Sequence, residues 1–145
     1  GFNQIGLEQR TGFVCSDFAK QIAQIEKNIQ TPEIIVGDLD SIRDFSDIRD
    51  IVQLYFSLSK EGQPGETYNV GNGVGYPIKE ILNKLVSMSK SNISVVESND
   101  LFRKSGLPVL VANIDKIKKI INWTVNFKID DSLKDILTYW RTELQ

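Results

Sequence analysis

Histidine is absent from this 145-residue chain, and cysteine occurs once, at Cys15. With no imidazole, every mechanism that needs a histidine base is excluded, and the commonest zinc ligand is missing. One thiol cannot form an internal disulfide, which fits a reducing compartment. Long apolar runs are lacking too: the longest, Leu107 to Ala112, is far too short to span a bilayer. No basic stretch followed by an apolar one opens the chain, so no export signal is visible and the cytoplasm is the expected location. Nor does one sign of charge dominate. Lys and Arg number 17 against 19 Asp and Glu, a net charge of −2, which argues against nucleic acid or an anionic membrane as partner.

What is present is the pattern of an α/β protein with short strands and about five helices. The chain opens extended over 1–5. Phe18, Ile22, Ile25 and Ile29 recur at helical spacing and predict an amphipathic helix over about 14–28, with Ser16 and Asp17 near its N-terminus. Thr31-Pro32 ends it, and a strand is expected at 34–36. Ile48, Ile51, Val52, Tyr55 and Phe56 mark a second helix, capped by Asp47. After a turn at 62–65, a strand is expected at 67–70. A helix then starts at Pro77 and buries Ile78, Ile81, Leu82, Leu85 and Val86. A strand at 93–97, a polar loop at 98–106 and an extended stretch at 107–112 follow. Ile114, Ile117, Ile120 and Ile121 mark a short helix, and Leu133, Ile136, Leu137, Trp140 and Leu144 a last one.

The most informative stretch is Arg43-Asp44-Phe45-Ser46-Asp47-Ile48-Arg49-Asp50. It sets a guanidinium where a strand is expected to end and carboxylates where a helix begins. A guanidinium there can bind phosphate oxygens in a bidentate, charge-assisted way; the plainer alternative is a surface pair with Asp44 or Asp47. Asn3 can offer its amide to a ligand at a strand end, or bond its own backbone in a turn. Asp17 and Lys20 can read a polar base edge from the first turns of a helix, or be solvated. Arg103, in the polar loop, can close over phosphates or be a solvated charge. Gly71-Asn72-Gly73-Val74-Gly75 imitates a dinucleotide-binding loop, but Tyr76-Pro77 stands where the third glycine should enter a helix, so a tight structural turn is expected. Trp123 and Trp140 are expected as core anchors, and Lys116, Lys118 and Lys119 as a wet helix face.

In order, these pieces resemble the C-terminal half of the extended short-chain dehydrogenase/reductases, a family of Rossmann-type NAD-dependent epimerases and dehydratases. The resemblance is carried by Phe2-Asn3-Gln4-Ile5-Gly6, Gln9-Arg10-Thr11-Gly12-Phe13-Val14 and Ser16-Asp17-Phe18-Ala19-Lys20-Gln21-Ile22. Val36-Gly37-Asp38-Leu39-Asp40-Ser41-Ile42-Arg43-Asp44-Phe45, Tyr68-Asn69-Val70-Gly71 and Ile121-Asn122-Trp123 continue it. Within that family the chain is most similar to GDP-4-keto-6-deoxy-mannose reductases and then GDP-mannose 4,6-dehydratases. UDP-galactose 4-epimerases share the layout but differ around Asp17.

The resemblance implies a substrate-binding portion over 1–145, part of a longer NAD- or NADP-dependent enzyme whose N-terminal Rossmann half lies outside these residues. It implies that Asn3 bonds the diphosphate region of a nucleotide sugar, with a GDP-hexose favoured. Phe13, Val14 and Asp17 would lie beside the base, where a carboxylate can accept from the N1 and N2 hydrogens of guanine. Arg43 and Arg103 would grip the diphosphate. Gln4 stands near the nicotinamide where these enzymes usually carry histidine, and Gly106 where relatives carry an acidic residue. The catalytic Tyr-x-x-x-Lys pair is not in this chain: Tyr55, Tyr68, Tyr76 and Tyr139 are followed four residues on by Ser59, Asn72, Glu80 and Glu143. No catalytic residue and no metal ligand is therefore assigned. The alternatives are a non-catalytic nucleotide-sugar binding module, an enzyme for UDP- or dTDP-sugars, or an α/β interaction domain. The parent is expected to be a homodimer, and the chain alone to self-associate, because helices without their sheet expose apolar surface.

Overall fold

A computed structural model describes residues 1–101 and 106–144. Strand β1 (Asn3–Ile5) leads into α1 (Val14–Glu26), β2 (Glu33–Val36), β3 (Ile42–Asp47) and α2 (Ile48–Glu61). Then come β4 (Gly75–Pro77), α3 (Ile78–Ser87), β5 (Ser94–Glu97), a 3₁₀ turn at Asn99–Leu101, β6 (Val109–Leu110), α4 (Asp115–Lys118) and α5 (Ile129–Glu143). The α/β expectation holds.

Strand β3 organises the first sheet. Its end pairs in parallel with β1, Asn3 facing Phe45, while its start pairs antiparallel with β4 and parallel with β6. A separate parallel pair joins β2 to β5, with Ile34 opposite Val95. The Gln21 side chain lies along β2 as a strand would: its Oε1 accepts from Ile35 N at 2.9 Å and its Nε2 donates to Ile35 O at 3.2 Å.

Helix α1 buries Phe18, Ala19, Ile22 and Ala23 against Ile81, Leu82 and Leu85 of α3 and Leu133, Ile136 and Leu137 of α5. Each apolar set repeats every three to four residues, so each helix has one inward face. Glu26 ties all three together. It accepts two 2.7 Å bonds from Arg141 of α5 and one of 2.8 Å from Ser89, just beyond α3. Those Arg141 bonds hold its carboxyl below the ordinary range, against the opposing effect of burial. A second, smaller cluster joins Ile51 and Leu54 of α2 to Val70, Ile117 and Ile121. Trp140 packs on the first cluster and Trp123 on the second, both only partly buried.

Three carboxylates spaced by three residues fasten this second region. Asp44 accepts from the backbone N–H groups of Asn72, Gly73 and Ala112 at 2.9, 2.8 and 3.1 Å. Asp47 caps α2 through Arg49 N at 2.8 Å and also accepts from the Ser132 hydroxyl at 2.6 Å. Asp50 holds Asn126 N and Phe127 N, each at 3.1 Å. All three are buried. Gly71 belongs to the same knot: a Cβ there would stand 2.6 Å from the Ala112 Cβ and 2.8 Å from Asp44 Oδ2.

Several expectations need correction. Helix α1 stops at Glu26, because Asn28 takes a left-handed turn (φ 57°), and Ile29 is left exposed. The cap position of α1 is Phe13, whose side chain makes no capping bond, so Ser16 and Asp17 lie in the first turn without capping it. Residues 67–70 form no strand and meet β1 through Phe2 N donating to Val70 O at 2.8 Å. An unforeseen strand, β4, ends in Pro77, which precedes α3 rather than starting it. Only Val109–Leu110 of the 107–112 stretch pairs as strand. The wet helix face expected of Lys116, Lys118 and Lys119 does hold, since all three are exposed, and Lys116 Nζ also reaches Glu66 Oε2 and Thr67 O, each at 2.7 Å. No helix among the described residues is long and apolar enough to cross a membrane.

Candidate functional site

One hollow has a volume of about 1040 Å³. The start of α1 forms one wall, the β1 and β3 strands another, and the 37–41 segment with Asp100, Leu101 and Gly106 closes the far side. Asn3, Gln4, Phe13, Val14, Asp17 and Arg43 all line it, as do Lys20 and Gly106. Arg103 lies outside the described residues.

Asn3 is a strand residue of β1, so the turn alternative for it falls away. Gln4, its neighbour, reaches the Tyr55 hydroxyl at 3.5 Å, a long contact that leaves the amide free to engage a ligand. Arg43 is not at a strand end: it is the second residue of β3, paired with Tyr76 and Leu110. Its guanidinium donates to Ile42 O at 2.8 Å and Pro108 O at 3.4 Å. Asp44 turns to its backbone partners and Asp47 to Arg49, so the alternative of a surface pair with Arg43 does not form. A Cβ on Gly106 would lie 3.6 Å from Arg43 Nη2. An acidic side chain at 106 would therefore stand against this guanidinium, and the glycine keeps that approach open.

On the opposite wall, Asp17 Oδ1 accepts from Gly12 N at 2.8 Å, leaving its second oxygen uncommitted by that bond. Phe13 is exposed at the rim, with the Arg10 guanidinium 5.7 Å from its ring centroid. Lys20 Nζ lies 5.0 Å from the centre of the Trp140 ring. Asp38, also lining the hollow, bonds Ser41, and that hydroxyl first, then Asp40 N–H, hold its carboxyl below the ordinary range. Cys15 touches the hollow but is buried, and burial pushes its thiol up to about 12. It is no nucleophile near neutral pH.

The lining thus offers amides, cations, carboxylates and an aromatic ring: groups that bind. Among the described residues no set of three His, Cys, Asp or Glu side chains is placed to hold a metal. The Gly71 loop is a structural turn away from the hollow, and the N–H groups of Asn72 and Gly73 that a phosphate would need already donate to Asp44. Sequence reasoning passed over Gln9, Gln21, Gln24 and Ser41, which also line the hollow. One signal was available. Asp17, Gln21 and Gln24 follow helical spacing on a face adjoining that of Phe18 and Ile22.

A family model described as GDP-mannose 4,6 dehydratase matches residues 1–136. A GDP-6-deoxy-D-mannose reductase of Pseudomonas aeruginosa is 28% identical over 144 residues, covering 99% of this chain and 47% of the relative. A GDP-6-deoxy-D-talose 4-dehydrogenase of Aggregatibacter actinomycetemcomitans is 24% identical over 120 residues, covering 83% of this chain and 39% of the relative. The solved structure of RMD from Pseudomonas aeruginosa complexed with NADPH superposes with a TM-score of 0.90 at 28% identity, over 97% of this chain and 46% of that one. The chain spans less than half the length of these relatives.

Proposed function

Because the chain belongs to the GDP-mannose 4,6 dehydratase family of extended short-chain dehydrogenase/reductases, we propose that it is the substrate-binding half of an NAD(P)-dependent enzyme acting on GDP-hexoses, of the 4-keto-6-deoxy-mannose reductase or 4,6-dehydratase type. The observation that carries this reading is the convergence of Asn3, Arg43, Phe13 and Asp17, from three segments, on one hollow. Arg43 and the Asn3 amide supply donors for a diphosphate. Phe13 supplies a face for a base, and Asp17 an acceptor for the N–H edge of guanine. Arg103 joins the diphosphate grip in this reading.

The nicotinamide, when bound, supplies or accepts a hydride at the sugar's C4. The residue this chain offers it is Gln4, whose neutral amide can donate or accept a hydrogen bond but cannot trade a proton. The phenol that handles the C4 oxygen belongs, in this reading, to the other half of the parent. The present half sets which nucleotide and sugar are held, and where.

Thermal scanning of the full-length parent with GDP, UDP and dTDP tests the assignment. GDP at a hundred times its Kd should add about 2.7 kcal/mol of stability, with smaller shifts for the pyrimidine nucleotides. Equal shifts with all three would remove the guanine reading. Arg43→Ala should weaken GDP binding by roughly tenfold or more, as expected for a lost charge-assisted bond.

A further inference from the structure

The wall of the hollow between β1 and α1, residues 6–13, has little apolar anchorage. Leu7, Glu8 and Arg10 to Phe13 are exposed, and the backbone turns left-handed at Glu8 (φ 61°) and Gly12 (φ 94°). The backbone bond within it, from Gln9 N to Gly6 O, is long at 3.4 Å. Yet this segment joins Asn3 and Gln4 at one end to Phe13 and Asp17 at the other.

A polar chain reaches it from α5. Trp140 Nε1 donates to Ser16 Oγ at 2.9 Å, Ser16 Oγ donates to Gln9 O at 2.6 Å, and Gln9 Nε2 donates to Gln4 O at 2.7 Å. Its direction is fixed by chemistry. An indole N–H can only donate, so the single Ser16 proton must go forward to the Gln9 carbonyl. Ser16 is fully buried, so no water competes for either bond. Reversing the Gln9 amide would set carbonyl against carbonyl, and its Oε1 has no partner among the described residues to favour that reversal. The same indole presents its ring face to Lys20, whose Nζ lies 5.0 Å from the ring centre.

We propose that Trp140, on α5 and outside the hollow, is a positioning residue for the nucleotide site: through Ser16 and Gln9 it fixes the β1–α1 wall, and through its ring it fixes Lys20. This rests on the reading of the hollow as a nucleotide-sugar site. The packing of α1, α3 and α5 against one another holds the indole in place, so the wall inherits the rigidity of the main core.

The test uses the full-length parent with GDP and UDP as probes in calorimetry, well below the melting temperature. Trp140→Phe keeps an aromatic face and removes the donor; Ser16→Ala breaks the chain one step later. Either substitution should weaken nucleotide binding by about threefold to tenfold. The same factor should appear in KM with kcat unchanged, the pattern of lost uniform binding rather than general damage. The double variant should be no weaker than the more affected single variant, because both break one chain. Wild-type affinity in both single variants, or losses that multiply in the double variant, would overturn the proposal while leaving the site reading intact. Failure of the wild-type protein itself to bind either nucleotide would overturn the site reading, and the positioning role with it.

Discussion

Around α1, Phe18, Ile22, Ile81, Leu85, Leu133 and Leu137 interlock from three helices, and the inward face of each is covered. Helix α2 itself buries only Ile51 and Leu54 among its apolar residues, against Val70, Ile117 and Ile121, while Val52, Tyr55 and Phe56 stand exposed on the same helix. Apolar packing holds the first region. The second relies on Asp44 and Asp50 fastening loops from distant parts of the chain, and on Asp47 tying the start of α2 to Ser132 of α5. The contrast separates two ways of fixing a backbone: burial is non-directional and tolerates repacking, whereas a carboxylate facing N–H groups specifies one arrangement and fails if a partner is lost.

Equivalent truncations probe that contrast most strongly. Leu137→Ala should cost about 4 kcal/mol, near the upper part of the range for a buried leucine, and Leu54→Ala about 2 kcal/mol, because fewer neighbours surround it. Denaturant unfolding of the 145-residue chain gives both values, and equal costs would erase the distinction. Next comes Asp44→Ala, expected to cost about 3 kcal/mol by stranding three backbone donors. A loss below about 1 kcal/mol would show that water replaces the carboxylate freely.

Acid should affect both regions with the same sign. Burial alone would raise the Asp47 carboxyl, but bonds from Arg49 and Ser132 outweigh it, and the net displacement is downward. Glu26 is displaced downward too, chiefly by Arg141. Groups whose folded pKa is depressed stabilise above the unfolded pKa, about 3.9 for Asp and 4.3 for Glu, and that stability fades as pH falls through the folded values. Arg141→Met and Arg49→Met should each flatten the acid limb by about 1 kcal/mol or less, since both guanidiniums are partly solvated. Unfolding measured from pH 6 down to pH 2 checks this; unchanged slopes would contradict it. The smallest change in stability is expected from the double substitution Val52→Ser with Phe56→Ser, within about 0.5 kcal/mol. Sedimentation should nevertheless report less self-association than in the unsubstituted chain.

Periodicity made α1, α2, α3 and α5 legible, since each buries residues at helical spacing. Strands β4 and β6, at three and two residues, carry too little pattern to announce themselves and exist through their pairing with β3. Arg43 and Asp44 show how one misplacement spreads. Once Arg43 lies inside a strand rather than at its end, its neighbour must point to the opposite face, so the alternative of a pair between the two cannot form. Asn3, Phe13, Asp17 and Arg43 were legible through the order of the motifs that contain them. Gln9 and Ser41 were not, because a polar loop residue has no period to betray its direction.

The meeting of Gly71, Asp44 and Ala112 limits how this sequence can drift. Any side chain at 71 would strike both the carboxylate and the methyl group, and any larger residue at 112 would crowd the same point. Those positions lie on separate stretches of chain, yet a viable change at one calls for a compensating change at another. Libraries randomised at the three sites and selected for folding should therefore return linked triplets rather than independent substitutions.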